Sequence, residues 1–257
     1  MSIAESHAPL TQALDPVLDA GPAPYKIGLI ALSTDMVTER DFSLMLPPGD
    51  EVMYYTARVP NVCPVTVENL RRMAPHLAEA AAQILPTTPL DVIAYSCTSG
   101  SVSIGPDEVA AQIHLGRSGV EVVTPITAAL AAFEALGIKR ISLMTPYTDE
   151  VNRTMVAFIE PLGIEIANVA GFCLEDDQEM ARLTPAGIRD AAIEITDPDA
   201  DAVFVSCTGI RTAETLDAIE AALGKPALCS NQCMFWQSLR LAGYDKPVEG
   251  FGRLLKM

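Results

Sequence analysis

The chain has 257 residues, 49% of them hydrophobic, with 33 acidic against 17 basic side chains and a net charge of −16. A charge of that sign opposes binding to a phosphate backbone, so nucleic acid is not an expected partner. No apolar run reaches the ~20 residues that span a bilayer, and no basic patch leads into an apolar segment at the start, so neither a membrane nor a secretory route is expected.

Residues 1–24 carry scattered prolines without periodicity and read as an extended lead-in. A strand follows from Lys26 to Leu32, then a long polar loop from Ser33 to Asp50 and a second strand from Glu51 to Val59. Pro64 to Leu85 has a helical period that Pro75 should divide. Leu90 to Ser96 is a strand, Pro106 to His114 a short helix, Val120 to Val123 a strand and Ile126 to Leu136 an alanine-rich helix. The order then recurs: strand 140–145, helix 148–161, strand 163–169, helix 185–195, strand 202–206, helix 212–223, strand 226–228, helix 232–242. The acidic stretch Gly171 to Leu183 reads as a solvated surface loop. Alternating strands and helices predict parallel sheets covered by helices, an α/β fold.

The recurrence has a sequence counterpart. Asp91-Val92-Ile93-Ala94-Tyr95-Ser96-Cys97-Thr98 matches Asp201-Ala202-Val203-Phe204-Val205-Ser206-Cys207-Thr208. Lys26 to Thr34 resembles Arg140 to Thr148, and the helical pattern opened by Val123-Thr124 and closed by Gly137 matches that opened by Cys229-Ser230 and closed by Gly243. Three matches in one order predict two copies of one α/β unit; if these are pseudo-twofold-related domains that face each other, both cysteines approach one substrate from opposite sides. The expected division is a lead-in at 1–24, a first domain of 25–124 plus 232–257, and a second of 125–231.

Cys97 and Cys207 end the two matching strands, where open α/β sheets place their ligands. A single cysteine there is as readily a small buried hydrophobe as a reacting group. Two at equivalent places, each flanked by Ser and Thr, favour chemistry: a thiol and a thiolate facing one carbon can remove a proton on one side and supply one on the other. Thr98, Ser99 and Gly100 after one cysteine, and Thr208 and Gly209 after the other, offer backbone N–H groups and hydroxyls to an anion such as a carboxylate. No nucleotide fingerprint is present, so no cofactor is expected. Cys63, Cys173, Cys229 and Cys233 complete a dispersed set that reads as reduced thiols in a cytoplasmic protein. None of His7, His76 and His114 is near the Cys229/Cys233 pair, so no metal is expected.

On these residues the chain resembles the Asp/Glu racemase superfamily, in the branch of maleate cis-trans isomerase and arylmalonate decarboxylase. The resemblance covers nearly everything after residue 25. It rests on Gly28-Leu29-Ile30 with Ser33 and Glu39, Ser96-Cys97-Thr98-Ser99, Thr145-Pro146-Tyr147 with Asn152, Ser206-Cys207-Thr208-Gly209, and Ser230-Asn231-Gln232 with Trp236. It implies a metal-free, cofactor-free site between two domains, acting on a small carboxylate. Cys97 would be nucleophile or base and Cys207 the acid, with Ser33, Thr34, Asp35, Thr98, Ser99, Tyr147, Thr208, Gly209 and Asn231 as the substrate-binding set. It also implies a homo-oligomer by default. The decarboxylase branch typically keeps only the second cysteine, so a pair favours a racemase, epimerase or cis-trans isomerase. Maleate isomerase, decarboxylase and a non-enzymatic binding protein are the alternatives.

Asp35 departs from the isomerases, which usually carry Asn there. An ionised carboxylate only accepts hydrogen bonds and repels a dicarboxylate. Asp35 reads either as a turn or N-cap residue or as the partner of a cationic substrate group. The run from Thr34 to Phe42 is similar to the ectoine-utilisation members known as EutA. That resemblance implies an epimerase-type step in ectoine or hydroxyectoine breakdown.

Overall fold

The structure, a computed structural model, describes residue 11 and residues 14–257. The expected lead-in thus lies partly outside the described residues, and its 14–22 portion is exposed without helix or strand. The first half runs β1 (Tyr25–Leu32), α1 (Thr38–Met45), β2 (Val52–Val59), α2 (Val67–Arg71), α3 (Leu77–Gln83), β3 (Val92–Tyr95), α4 (Thr98–Ile104), α5 (Pro106–Gly116), β4 (Glu121–Val123) and α6 (Pro125–Leu136). The second runs β5 (Arg140–Thr145), α7 (Asp149–Ile159), β6 (Glu165–Gly171), α8 (Asp177–Arg182), α9 (Pro185–Ile195), β7 (Ala202–Val205), α10 (Leu216–Leu223), β8 (Ala227–Cys229) and α11 (Ser230–Ala242).

Two four-stranded sheets result, ordered β2-β1-β3-β4 and β6-β5-β7-β8. Every strand pair is parallel, and the second sheet repeats the order of the first, as the α/β duplication predicts. The matching strands β3 and β7 are buried along their whole length, which explains their unbroken apolar sequences. Register places Ile30 beside Tyr95 and Met144 beside Val205. The segments after β1 and β3 therefore leave one sheet as neighbours, and those after β5 and β7 leave the other. In each sheet this is the point where the strand order reverses, the usual ligand position of an open α/β sheet.

The helices α6 and α11 also repeat each other. Thr124 caps α6 in a reciprocal capping box with Thr127, and Cys229 caps α11 in one with Gln232. Both end on a left-handed glycine, Gly137 and Gly243, a conformation that a Cβ disfavours. The helices tie the halves together. Phe133 of α6 packs edge-on against Phe204 of β7, and Phe235 of α11 against Phe42 of α1.

Three local expectations are corrected. The Ser33–Asp50 loop contains α1, whose start is tied by the Asp35 carboxylate accepting from the Val37 and Thr38 amides. The Gly171–Leu183 loop contains α8, capped by Asp176. The segment after Cys97 forms α4, which the short run of small polar residues did not announce. The break at Pro75 occurs as expected, with a 3₁₀ turn at Ala74–His76 between α2 and α3.

Candidate active site

Cys97 and Cys207 line one cavity between the two sheets. Cys97 is the N-cap of α4, and its sulfur accepts a hydrogen bond from the Gly100 amide at 3.2 Å. Cys207 heads a turn rather than a helix, and its sulfur accepts from the Gly209 amide, also at 3.2 Å. Each thiol is thus presented by a strand end and faces a backbone N–H that would stabilise its anion. A side chain at Gly100 would crowd this contact. A Cβ there would stand 2.7 Å from the Cys97 sulfur, and 2.9 Å from both Met73 Cε and Tyr95 Oη.

Burial sets the resting protonation state. It pushes each thiol up to about 12, against the help that Gly100 and Ser99 give Cys97 and that Tyr147 and Gly209 give Cys207. The carboxylate of Asp177 adds to the rise at both sulfurs. Both cysteines are therefore neutral thiols near pH 7. A proton donor is ready at once, whereas a nucleophile or base must be generated when substrate arrives.

Of the expected binding residues, Thr34, Asp35, Ser99, Tyr147, Thr208 and Gly209 line the cavity with the two cysteines. Tyr147 is fixed from behind: its amide donates to Thr145 Oγ1 (3.1 Å), Thr145 Oγ1 donates to Asn152 Oδ1 (2.6 Å), and Asn152 Nδ2 donates to the Tyr147 carbonyl (3.2 Å). Ser33, Thr98 and Asn231 are not among the lining residues. Ser33 is exposed and accepts from the Asn61 amide. The buried Thr98 hydroxyl donates to Ser230 at 2.8 Å, joining α4 to α11. Asn231 donates to Asp41 Oδ2 at 2.9 Å and to the Thr208 carbonyl at 3.0 Å, bracing the turn after Cys207.

Asp35 reaches the cavity wall, but its oxygens are mostly engaged. Oδ1 accepts from the Val37 and Thr38 amides, and Oδ2 from Thr38 Oγ1 at 2.6 Å, with Ser96 Oγ at 3.5 Å. Asp35 thus makes the turn contacts of its first reading while also lining the cavity.

Two polar lining residues were not foreseen, Asn61 and Asp177. Asp177, in the stretch read as a solvated loop, crosses to the first half. Its Oδ2 accepts from Thr34 Oγ1 at 2.5 Å and Asn61 Nδ2 at 2.7 Å. Leu32, Met36, Val65, Leu70 and Ala181 supply the apolar wall. No local signal marks these residues, because their roles arise only when the halves meet. Among the described residues there is no group of three or more His, Cys, Asp or Glu side chains that could hold a metal ion. Cys229 serves as the cap of α11 and Cys233 is packed inside that helix.

This arrangement matches known proteins. A family model described as arylmalonate decarboxylase matches residues 64–255. An arylmalonate decarboxylase from Bordetella bronchiseptica is 32% identical over 140 residues, covering 53% of this chain and 58% of that protein. A maleate isomerase from Nocardia farcinica (strain IFM 10152) is 26% identical over 241 residues, covering 90% and 95%. The structure of Nocardia farcinica maleate cis-trans isomerase bound to TRIS superposes with a TM-score of 0.82 at 26% identity, covering 90% of this chain and 98% of that one. A mutant of that isomerase, with a covalently bound succinylcysteine intermediate, gives the same TM-score and coverage at 23% identity.

Proposed function

This chain belongs to the arylmalonate decarboxylase family, and on that premise we propose that it is a cofactor-independent isomerase whose two cysteines work on one small carboxylate. The carrying observation is that Cys97 and Cys207, from equivalent strand ends of two like-ordered sheets, line a single cavity. Cys97, once deprotonated, adds to an alkene carbon or takes an α-proton. Cys207, already a neutral thiol, returns a proton from the other side. The hydroxyls of Ser99, Tyr147 and Thr208 supply neutral donors for the substrate carboxylate. The succinylcysteine of the Nocardia farcinica isomerase is a precedent for carbon–sulfur bond formation in this fold.

The finer reading is a racemase- or epimerase-type step in ectoine or hydroxyectoine breakdown, supported by the Thr34–Phe42 run. A cytoplasmic setting suits six cysteines that are all free. Decarboxylation is the second reading, favoured by the likeness to the Bordetella bronchiseptica enzyme, and it separates from the first on Cys97.

The test is proton NMR in D₂O with maleate, aspartate, an arylmalonate, ectoine and hydroxyectoine, using wild type, Cys97→Ala and Cys207→Ala. Isomerisation or α-proton exchange is expected to fall at least ~100-fold in each variant. Loss of CO₂ that survives Cys97→Ala replaces isomerisation by decarboxylation. Ligand binding without any turnover replaces both by a binding protein.

A further inference from the structure

We propose that Asp177 is the specificity-determining residue of this site, selecting small carboxylates that also carry a cationic nitrogen, an ammonium or an amidinium, over dianions. The inference rests on the two-thiol reading and names the substrate class that such a site accepts.

The cavity wall contains two carboxylates, Asp35 and Asp177, and no Lys, Arg or His. A dicarboxylate would therefore meet two like charges, with only neutral hydroxyls and amides to hold it. The two aspartates are not equivalent. Asp35 has three close hydrogen bonds from the start of α1 and a fourth contact to Ser96. Asp177 is clamped through one oxygen only: Oδ2 takes Thr34 and Asn61, with the Cys63 thiol at 3.9 Å, while Oδ1 has no hydrogen-bond partner among the described residues. Its partners are neutral and burial raises its pKa against the hydrogen bonds from Thr34 and Asn61, so its charge is oriented but not compensated. A cation brought to the open oxygen of this part-buried carboxylate would stabilise its ionised form.

The thiols give this charge a second consequence. Asp177 disfavours a thiolate at both Cys97 and Cys207. A substrate cation seated against Asp177 removes that part of the rise, which adds to the larger effect of burial.

The experiment is calorimetric titration near neutral pH. Ectoine and 2,4-diaminobutyrate serve as cation-bearing carboxylates, with maleate and succinate as dianions. At least one cation-bearing probe is expected to bind wild type more tightly than either dianion. Asp177→Asn is expected to weaken it on the order of 30-fold or more while tightening maleate. Asn61→Ala, which loosens the clamp but keeps the charge, should preserve the ranking. Three results overturn the proposal: a dianion preferred by wild type, a cation-bearing probe bound equally well by Asp177→Asn, or no binding by either class. Loss of the ranking in Asn61→Ala would also overturn it, by making Asp177 merely an anchor of α8. Cys97→Ala should show the same ranking as wild type. Thiol-dependent turnover with a reversed ranking therefore sinks the specificity alone. A preserved ranking without thiol-dependent turnover sinks the two-thiol reading alone.

Discussion

At the scale of single residues, each thiol is governed by the glycine that gives it an N–H. Gly100 and Gly209 look alike in sequence, each following a cysteine by two or three positions, yet their surroundings differ. A Cβ on Gly209 would lie 3.6 Å from the Cys207 sulfur, an ordinary contact, whereas one on Gly100 would overlap three groups at once. Gly100→Ala is expected to cost ~1–3 kcal/mol of stability through overpacking, and to shift the Cys97 sulfur off its amide donor. Gly209→Ala is expected to leave stability nearly unchanged. Urea unfolding of the two variants measures the contrast, and equal losses would mean that the α4 turn yields more readily than its packing implies.

At the scale of elements, α1 and α11 meet through a buried acid. Asp41 is fully buried, accepts from Asn231 of α11 at 2.9 Å, and pairs with Arg40, which in turn reaches Glu214. Burial raises its pKa from 3.8 to about 7, against the lowering by Asn231 and Arg40, while Glu214 adds to the rise. Cys229, at the head of α11, is pushed up by burial and further by Asp41. Between about pH 4 and pH 7 the folded protein keeps a proton that the unfolded chain has released. Stability contributed by this proton is therefore lost as pH rises through that window. Asp41→Asn removes the titration while its amide can still pair with Asn231. The variant should match wild type near pH 4 and exceed it near pH 8, by at most on the order of 4 kcal/mol. Denaturant midpoints across that range give the answer. A stability difference that does not change with pH would show that Asp41 is ionised throughout.

At the scale of the whole molecule, the two halves are bound by exchanged helices and by polar bonds across the cleft. Phe133 reaches β7 from α6, Phe235 reaches α1 from α11, Thr98 bonds Ser230, and the Val65 amide bonds the Glu175 carbonyl. The helix α11, which follows the second sheet in sequence, packs on β1 and β3 of the first. The protein should unfold in one transition. Phe133→Ala and Phe235→Ala, each emptying a fully buried site, should each cost ~3–5 kcal/mol and lower that single midpoint without splitting it. Calorimetry decides, and two resolved transitions in either variant would mean that the halves are independent.

The sequence by itself determined the strands, their duplication and the position of both cysteines. Those signals are local: an apolar run long enough for one strand, a capping residue and a closing glycine are legible wherever the chain later packs. It was poorer on α1 and α8, because helices of 8 and 6 residues built largely from polar side chains carry little periodicity and resemble loops. Only the tertiary structure decided how the site is divided. It drew Thr98 and Asn231 back into bracing contacts, tied Asp35 to the start of α1 as well as to the cavity wall, and brought Asp177 and Asn61 to that wall. The physical reason is that a carboxylate or amide takes its role from the donors and charges that approach it. Here those come from the opposite half of the chain, across a cleft that no local pattern records.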